Sequence, residues 1–266
     1  MSTQVKKQRG MGKYFVLSFI VAFVFLATAA YFTKDTLLAG FFQTIQNTIN
    51  RPIQNSETAQ SQTLLAQTTR ADSSYLNDIT FVGDSRTNGM LQYHFVTQDQ
   101  TYAIDGINHR DIQQKSFIEI GGRTYTLADA ISLKEPRIIM VSLGINGVAF
   151  MTEEEFMSEY KSLIEMLKYH SPNSQIIIQS MFPVSRQKER NDPRMSNEII
   201  DSYNDSLLQL AKDEGCFFLD SADELKDDNN ALASVYDSGD GLHLNEAAYE
   251  VIFDYILTHK LIVQNS

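Results

Sequence analysis

The sequence predicts an α/β domain built on a five-stranded parallel sheet with helices on both faces, preceded by a membrane-spanning segment. Three observations predict it. Short apolar runs alternate with segments of helical periodicity, as parallel strands and crossover helices require. Turn residues close most of those runs. One long uncharged apolar stretch lies near the amino terminus, apart from the rest.

The 266-residue chain begins with a basic segment, residues 1–13, containing Lys6, Lys7, Arg9 and Lys13. Residues 14–32 (YFVLSFIVAFVFLATAAYF) follow with no charge at all. A helix needs about 20 such residues to cross the hydrocarbon core, and the preceding cations favour a cytoplasmic amino end. The stretch is read as a retained transmembrane anchor. A cleaved signal peptide is the alternative, because Ala27-Thr28-Ala29 offers small residues at peptidase spacing. Either way the remainder is expected outside the cytoplasm, single-pass at the cell membrane or secreted. Residues 33–75, rich in Gln, Asn, Thr and Ser from Gln43 onward, are expected to form a polar tether.

The working domain is placed at residues 76–264. Its strands are expected at 79–82 (ITFV), 101–104 (TYAI), 137–143 (RIIMVSL), 175–179 (QIIIQ) and 216–219 (CFFL). Gly121-Gly122 between two short runs marks a two-residue hairpin. Thr152 and Glu155 form a capping box that opens a helix to about His170. Residues 197–213 have helical periodicity. A closing helix over 246–259 is expected to turn Ala247, Val251, Ile252, Tyr255 and Ile256 toward the core.

Composition narrows the function. Of 22 basic residues four precede Lys34, where there is no acid, so the net charge of −11 becomes −15 for the rest. Such a body is a poor match for nucleic acid, which needs clustered cations. The single cysteine, Cys216, excludes an intramolecular disulfide framework and a Cys-based zinc site.

In a parallel sheet the reactive groups gather beyond the carboxyl ends of the strands. Ser85 in Gly83-Asp84-Ser85 follows the first strand, at a turn where a hydroxyl is exposed and a helix amino end supplies N–H donors. Gly106 follows the second strand, and its N–H can serve as an oxyanion donor. Asn146 in Gly144-Ile145-Asn146-Gly147 follows the third strand and offers a side-chain donor. His243, with Asp240 three residues earlier, precedes the last helix and can act as a base with its orienting acid. Taken singly, each motif is also ordinary turn chemistry. Together they supply a nucleophile, a base, an orienter and oxyanion donors at one sheet edge, which is what acyl transfer through a covalent ester requires.

These blocks, VGDSR, AIDGI, LGING and DGLHLN, resemble those of the SGNH hydrolases, also called GDSL esterases and lipases. The resemblance runs over about residues 77–260. It implies a flavodoxin-like three-layer α/β/α sandwich with Ser85 as nucleophile, His243 as general base and Asp240 as its partner. The oxyanion would be held by the N–H groups of Ser85 and Gly106 and by the Asn146 side chain. It implies no metal or organic cofactor, and a small-molecule or glycan ester as substrate. The oligomeric state is not readable. Gly147 stands where the family usually has Asp and is similar to wall-polymer O-acetyltransferase domains, so acetyl transfer is kept as an alternative to hydrolysis. A catalytically idle surface-binding module is the third reading. Arg86 is expected to face solvent or to make a structural ion pair, with anion binding as the alternative. Phe182-Pro183-Val184 can line an acyl pocket or simply pack. His94, His109, His170 and His259 are expected at the surface or in satisfied polar roles. Glu153-Glu154-Glu155 suits a helix amino end rather than a glycosidase pair.

Overall fold

A computed structural model of the chain describes residues 63–262. The basic segment, the apolar stretch 14–32 and residues 33–62 of the expected tether lie outside the described residues. Among the described residues no helix is long and apolar enough to cross a membrane.

The sheet has five strands: β1 (Ile79–Gly83), β2 (Thr101–Ala103), β5 (Ile138–Ser142), β6 (Gln175–Gln179) and β7 (Phe217–Leu219). Their order is β2-β1-β5-β6-β7 and every pairing is parallel. Each expected strand is present, shifted by at most one residue at an end. From β1 the chain goes to one neighbour and then crosses to the other. The crevice between the carboxyl ends of β1 and β5 is therefore the topological switch point, where sheets of this kind bind ligands.

Side chains alternate along the strands, so the sheet feeds two cores. Val82, Ile139, Val141, Ile176, Ile178 and Phe218 face one side. They pack with α2 (Leu127–Lys134), α4 (Glu153–His170) and α6 (Asn197–Asp213). Phe81, Ile138, Met140, Ile177 and Leu219 face the other side. There they meet α1 (Ser85–Gln92) and α7 (Glu246–Thr258). The result is three layers. A separate antiparallel hairpin, β3 (Ser116–Ile120) and β4 (Arg123–Thr126), closes one edge of the first core. Its turn residues Gly121 and Gly122 have φ of 58° and 76°, the positive pair that a type I′ turn demands. The Thr152–Glu155 capping box forms as expected.

Two expectations change. Residues 63–75, assigned to the tether, are instead docked on the domain. Leu64 pairs with Phe218 on β7, Leu65 is buried in the second core, and the N–H groups of Thr68 and Ala71 donate to carbonyls at the end of α7. Their polar composition hides this, because backbone pairing needs no apolar side chain. The buried face of α7 is Ala248, Tyr249, Ile252, Phe253, Ile256 and Leu257, whereas Ala247 is exposed. The stripe is rotated from the expected one because Tyr249 turns inward, where its hydroxyl donates to the Arg86 carbonyl at 2.7 Å.

Candidate active site

The β1–α1 turn places Ser85, the expected nucleophile. Gly83 must be glycine: a β-carbon there would lie 1.8 Å from Thr87 Oγ1 and 2.8 Å from the Ser142 carbonyl oxygen. Asp84 caps α1 by accepting the Arg86 N–H at 2.9 Å. Ser85 is thus the first helical residue, half-buried. No acceptor among the described residues takes its N–H, as expected for the first turn of a helix.

The loop before α7 brings the base. His243 Nε2 lies 3.0 Å from Ser85 Oγ, across 158 residues of sequence. His243 Nδ1 lies 2.5 Å from Asp240 Oδ2. An ionised Asp240 can only accept, so the Nδ1 nitrogen carries the proton and Nε2 is left to accept from the serine hydroxyl. Asp240 Oδ1 also accepts the N–H groups of Leu242 and His243, both at 2.8 Å. Partial burial pushes the Asp240 carboxyl up, but the bonds from His243 and the two backbone N–H groups outweigh it and bring it down to about 2.

Of the readings offered for Arg86 the structure bears out a structural role facing the Asp84 charge, not exposure to solvent. Arg86 is only 3% exposed and donates to three carbonyls: Leu242 at 3.0 Å, Phe182 at 2.8 Å and Pro183 at 3.1 Å. All three of its guanidinium nitrogens are committed to these carbonyls. One guanidinium ties the residue after the nucleophile to the residue before the base. Its fixed fork of donors suits this task. The Phe182–Val184 loop is itself clamped by α6. Asn204 exchanges two hydrogen bonds with the Met181 backbone, and Asn197 does the same with Val184. Phe182 and Val184 are buried, so this loop packs rather than lines an open pocket.

Gly106 and Asn146 are the residues expected as oxyanion donors. Gly106 sits in an exposed turn after β2 with φ of 70°, and no described acceptor takes its N–H. Asp105 anchors that turn to α1 by accepting from Asn88 Nδ2 at 2.6 Å. Asn146 lies in α3 (Ile145–Val148), just past β5. Its Nδ2 donates to Asp84 Oδ2 and to the Ile107 carbonyl, each at 3.0 Å. Burial raises the Asp84 carboxyl to about 6, against the opposing pull of Arg86 and His243.

Gly147 has a packing reason to lack a side chain. A β-carbon there would be 2.8 Å from Cε1 of His109. His109 is fully buried, not at the surface, and its Nε2 lies 3.0 Å from the Phe156 carbonyl, to which it donates. Its Nδ1 has no partner, and burial lowers the ring to about 4, so it is neutral near pH 7. Sequence reasoning gave Asp84 no role and did not foresee how deeply Arg86 and His109 are buried. Their roles come from depth in the fold, which neither spacing nor residue type reveals. His94, His170 and His259 stay away from the site. Among the described residues no cluster of His, Cys, Asp or Glu has a metal-binding arrangement.

The side chains of Ser85, His243 and Asp240 thus form one hydrogen-bonded chain beyond the carboxyl end of β1. Chemically the set can open an acyl carbonyl by addition and elimination. The family model for GDSL-like lipase/acylhydrolase matches residues 81–251. A search of curated protein sequences found no match. Solved structures do match. One is a protein from Streptococcus pneumonia provisionally named a platelet activating factor: 20% identity, 80% of this chain and 96% of that chain covered, TM-score 0.54. A lipase/acylhydrolase from Enterococcus faecalis matches at 14% identity over 67% and 92% of the two chains, TM-score 0.52. A provisionally assigned GDSL-like lipase from Parabacteroides merdae ATCC 43184 matches at 16% over 67% and 93%, TM-score 0.51. At these identities the likeness is one of fold, and it agrees with the five-stranded parallel sheet. With the family model spanning every one of Ser85, Gly106, Asn146, Asp240 and His243, the chain belongs to the GDSL-like lipase/acylhydrolase family.

Proposed function

We propose that the protein is a serine ester hydrolase that works through an acyl-enzyme on small acyl esters, with acetyl groups on cell-surface glycans as the leading substrate class. The observation that carries the reading is the Ser85–His243–Asp240 chain of contacts at 3.0 and 2.5 Å. In the first half-reaction Ser85 Oγ adds to the ester carbonyl while His243 Nε2 takes its proton. The carbonyl oxygen becomes an oxyanion, held by the N–H groups of Ser85 and Gly106 and by the Asn146 amide. The C–O bond to the alcohol then breaks, and His243 returns the proton to the departing oxygen. In the second half water adds to the acyl-serine by the same route and releases acid. Asp240 stays ionised throughout and stabilises the imidazolium.

Gly147, the sequence hint of acetyl transfer, is accounted for by His109 and so does not favour transfer over hydrolysis. The apolar stretch 14–32 supports a single-pass anchor that holds the domain outside the cytoplasm.

Purified full chain should hydrolyse 4-nitrophenyl acetate, and a phosphonofluoridate should label Ser85. Ser85→Ala should lose both while unfolding at the wild-type temperature. Retained turnover in that variant would refute the reading. Acetylated wall oligosaccharide formed in preference to free acetate would move the assignment to a transferase. Export is checked separately: an amino-terminal tag protected from protease in intact cells, with the domain exposed, is the expected outcome.

A further inference from the structure

We propose that Asp84 is a positioning residue for the oxyanion site, holding the Asn146 carboxamide so that its NH2 end, not its carbonyl, serves the developing oxyanion. The inference rests on the acyl-enzyme reading above and adds a residue to it. The carboxamide of Asn is nearly symmetric in shape, so only its hydrogen-bond partners decide which end faces which way. Asp84 is 1% exposed, and its two oxygens have separate tasks. Oδ1 accepts the Arg86 N–H at 2.9 Å and caps α1; Oδ2 accepts Asn146 Nδ2 at 3.0 Å. A carboxylate accepts only, so the Asn146 amide cannot turn its carbonyl toward it.

Both Nδ2 hydrogens of Asn146 are engaged, the second by the Ile107 carbonyl at 3.0 Å. An oxyanion therefore has to take the place of one partner. The Ile107 carbonyl is neutral and belongs to the residue after Gly106, in the turn that bears the other donor. The Asp84 carboxylate is charged, buried and compensated by Arg86 and His243 against Asp105. Charge-assisted bonds are about twice as strong as neutral ones. The Ile107 bond is the one that gives way, and the Asp84 bond keeps the amide from rotating as it does.

Two substitutions separate this from a purely structural role. Asp84→Ser keeps an oxygen to cap α1 but has none for Asn146. Asp84→Asn keeps the shape but has one oxygen for two donors, so an NH2 group opposes Asn146 and turns it carbonyl-first. Both should lower kcat for 4-nitrophenyl acetate about 10²–10³-fold, the loss expected for one oxyanion donor, with KM little changed. Asn146→Ala should show the same loss. Asp84→Ser combined with Asn146→Ala should be no slower than Asn146→Ala alone, because the two act as one unit. Either Asp84 variant turning over within threefold of wild type would overturn the proposal. So would losses that multiply in the double variant while Ser85→Ala is dead, which leaves the esterase reading standing. Wild-type protein inert to both the aryl acetate and the phosphonofluoridate would sink that reading and this one with it.

Discussion

On the base side of Ser85 every connection is made by buried, charged or clamped groups, whereas of the residues proposed to hold the oxyanion Gly106 stands in an exposed turn and Asn146 is already engaged. Arg86 binds the Leu242, Phe182 and Pro183 carbonyls, and two asparagines of α6 hold the 181–184 loop in turn. Gly106, by contrast, sits in an exposed turn, and the Asn146 amide has both hydrogens committed elsewhere. In the proposed reaction Ser85 and His243 are therefore organised before substrate arrives, whereas the proposed oxyanion donors are completed only when it does, by the exchange of one neutral hydrogen bond. Preorganised donors contribute most to catalysis when they need no rearrangement. The bond to the Ile107 carbonyl is the part of this site that falls short of that.

Removing Arg86 should break the comparison most severely. Arg86→Met keeps much of the volume but leaves three carbonyls without their donor. Each unsatisfied buried acceptor costs about 1–3 kcal/mol, and domains are stable by only roughly 5–15 kcal/mol. Asp84 loses its compensating cation as well. We expect urea unfolding to show a loss on the order of 5 kcal/mol and hydrolysis to fall with it. A variant with wild-type stability would mean that the base side is not held by Arg86 at all.

That arrangement also shows what the sequence could reveal and what it could not. The strands ITFV, RIIMVSL and QIIIQ, the Gly121-Gly122 turn and the Thr152 capping box are local signals, and the structure has each where expected. That Ser85, Asp240 and His243 would meet was legible because turn residues with reactive side chains ended a predicted strand or preceded the last helix. Arg86 was not, because its partners are carbonyls, and a carbonyl carries no residue identity. Nor was the phase of α7. Ala247 and Ala248 are interchangeable in hydropathy, and only the inward turn of Tyr249 decides between them. For His109 the sequence leaves surface and buried polar roles open, because a lone histidine gives no sign of its depth. Here it is burial against Gly147 and Phe156 that matters.

A smaller effect sharpens the same contrast on the oxyanion side. Gly106→Ala keeps the N–H donor and meets no atom within 4 Å, so its only cost is a side chain at φ of 70°. For a non-glycine residue that is about 1–2 kcal/mol. Stability should fall by no more than this, and kcat should stay within about fivefold of wild type. A loss as large as that of Asn146→Ala would show the Gly106 turn to be as tightly constrained as the base side.

The smallest effect should come from acid, because two buried groups oppose each other. Asp84 is raised by burial from its ordinary 3.8 to about 6, so between those values the folded protein binds more protons than the unfolded chain. Its contribution therefore makes the fold more stable as pH falls from about 6 toward 3.8. His109 is lowered by burial from 6.5 to about 4, so over that window the unfolded chain binds more protons. Its contribution makes the fold less stable as pH falls from 6.5 toward 4. The windows nearly coincide and the slopes have opposite signs. Across pH 4–6.5 these two groups should largely cancel in the wild-type unfolding free energy. Removing one exposes the other: relative to wild type, Asp84→Ser should lose stability on acidification and His109→Gln should gain it. Urea titrations of the three proteins at half-unit pH steps would show this. Parallel curves would mean that Asp84 and His109 do not titrate oppositely, and that the two sides of the site share one electrostatic environment.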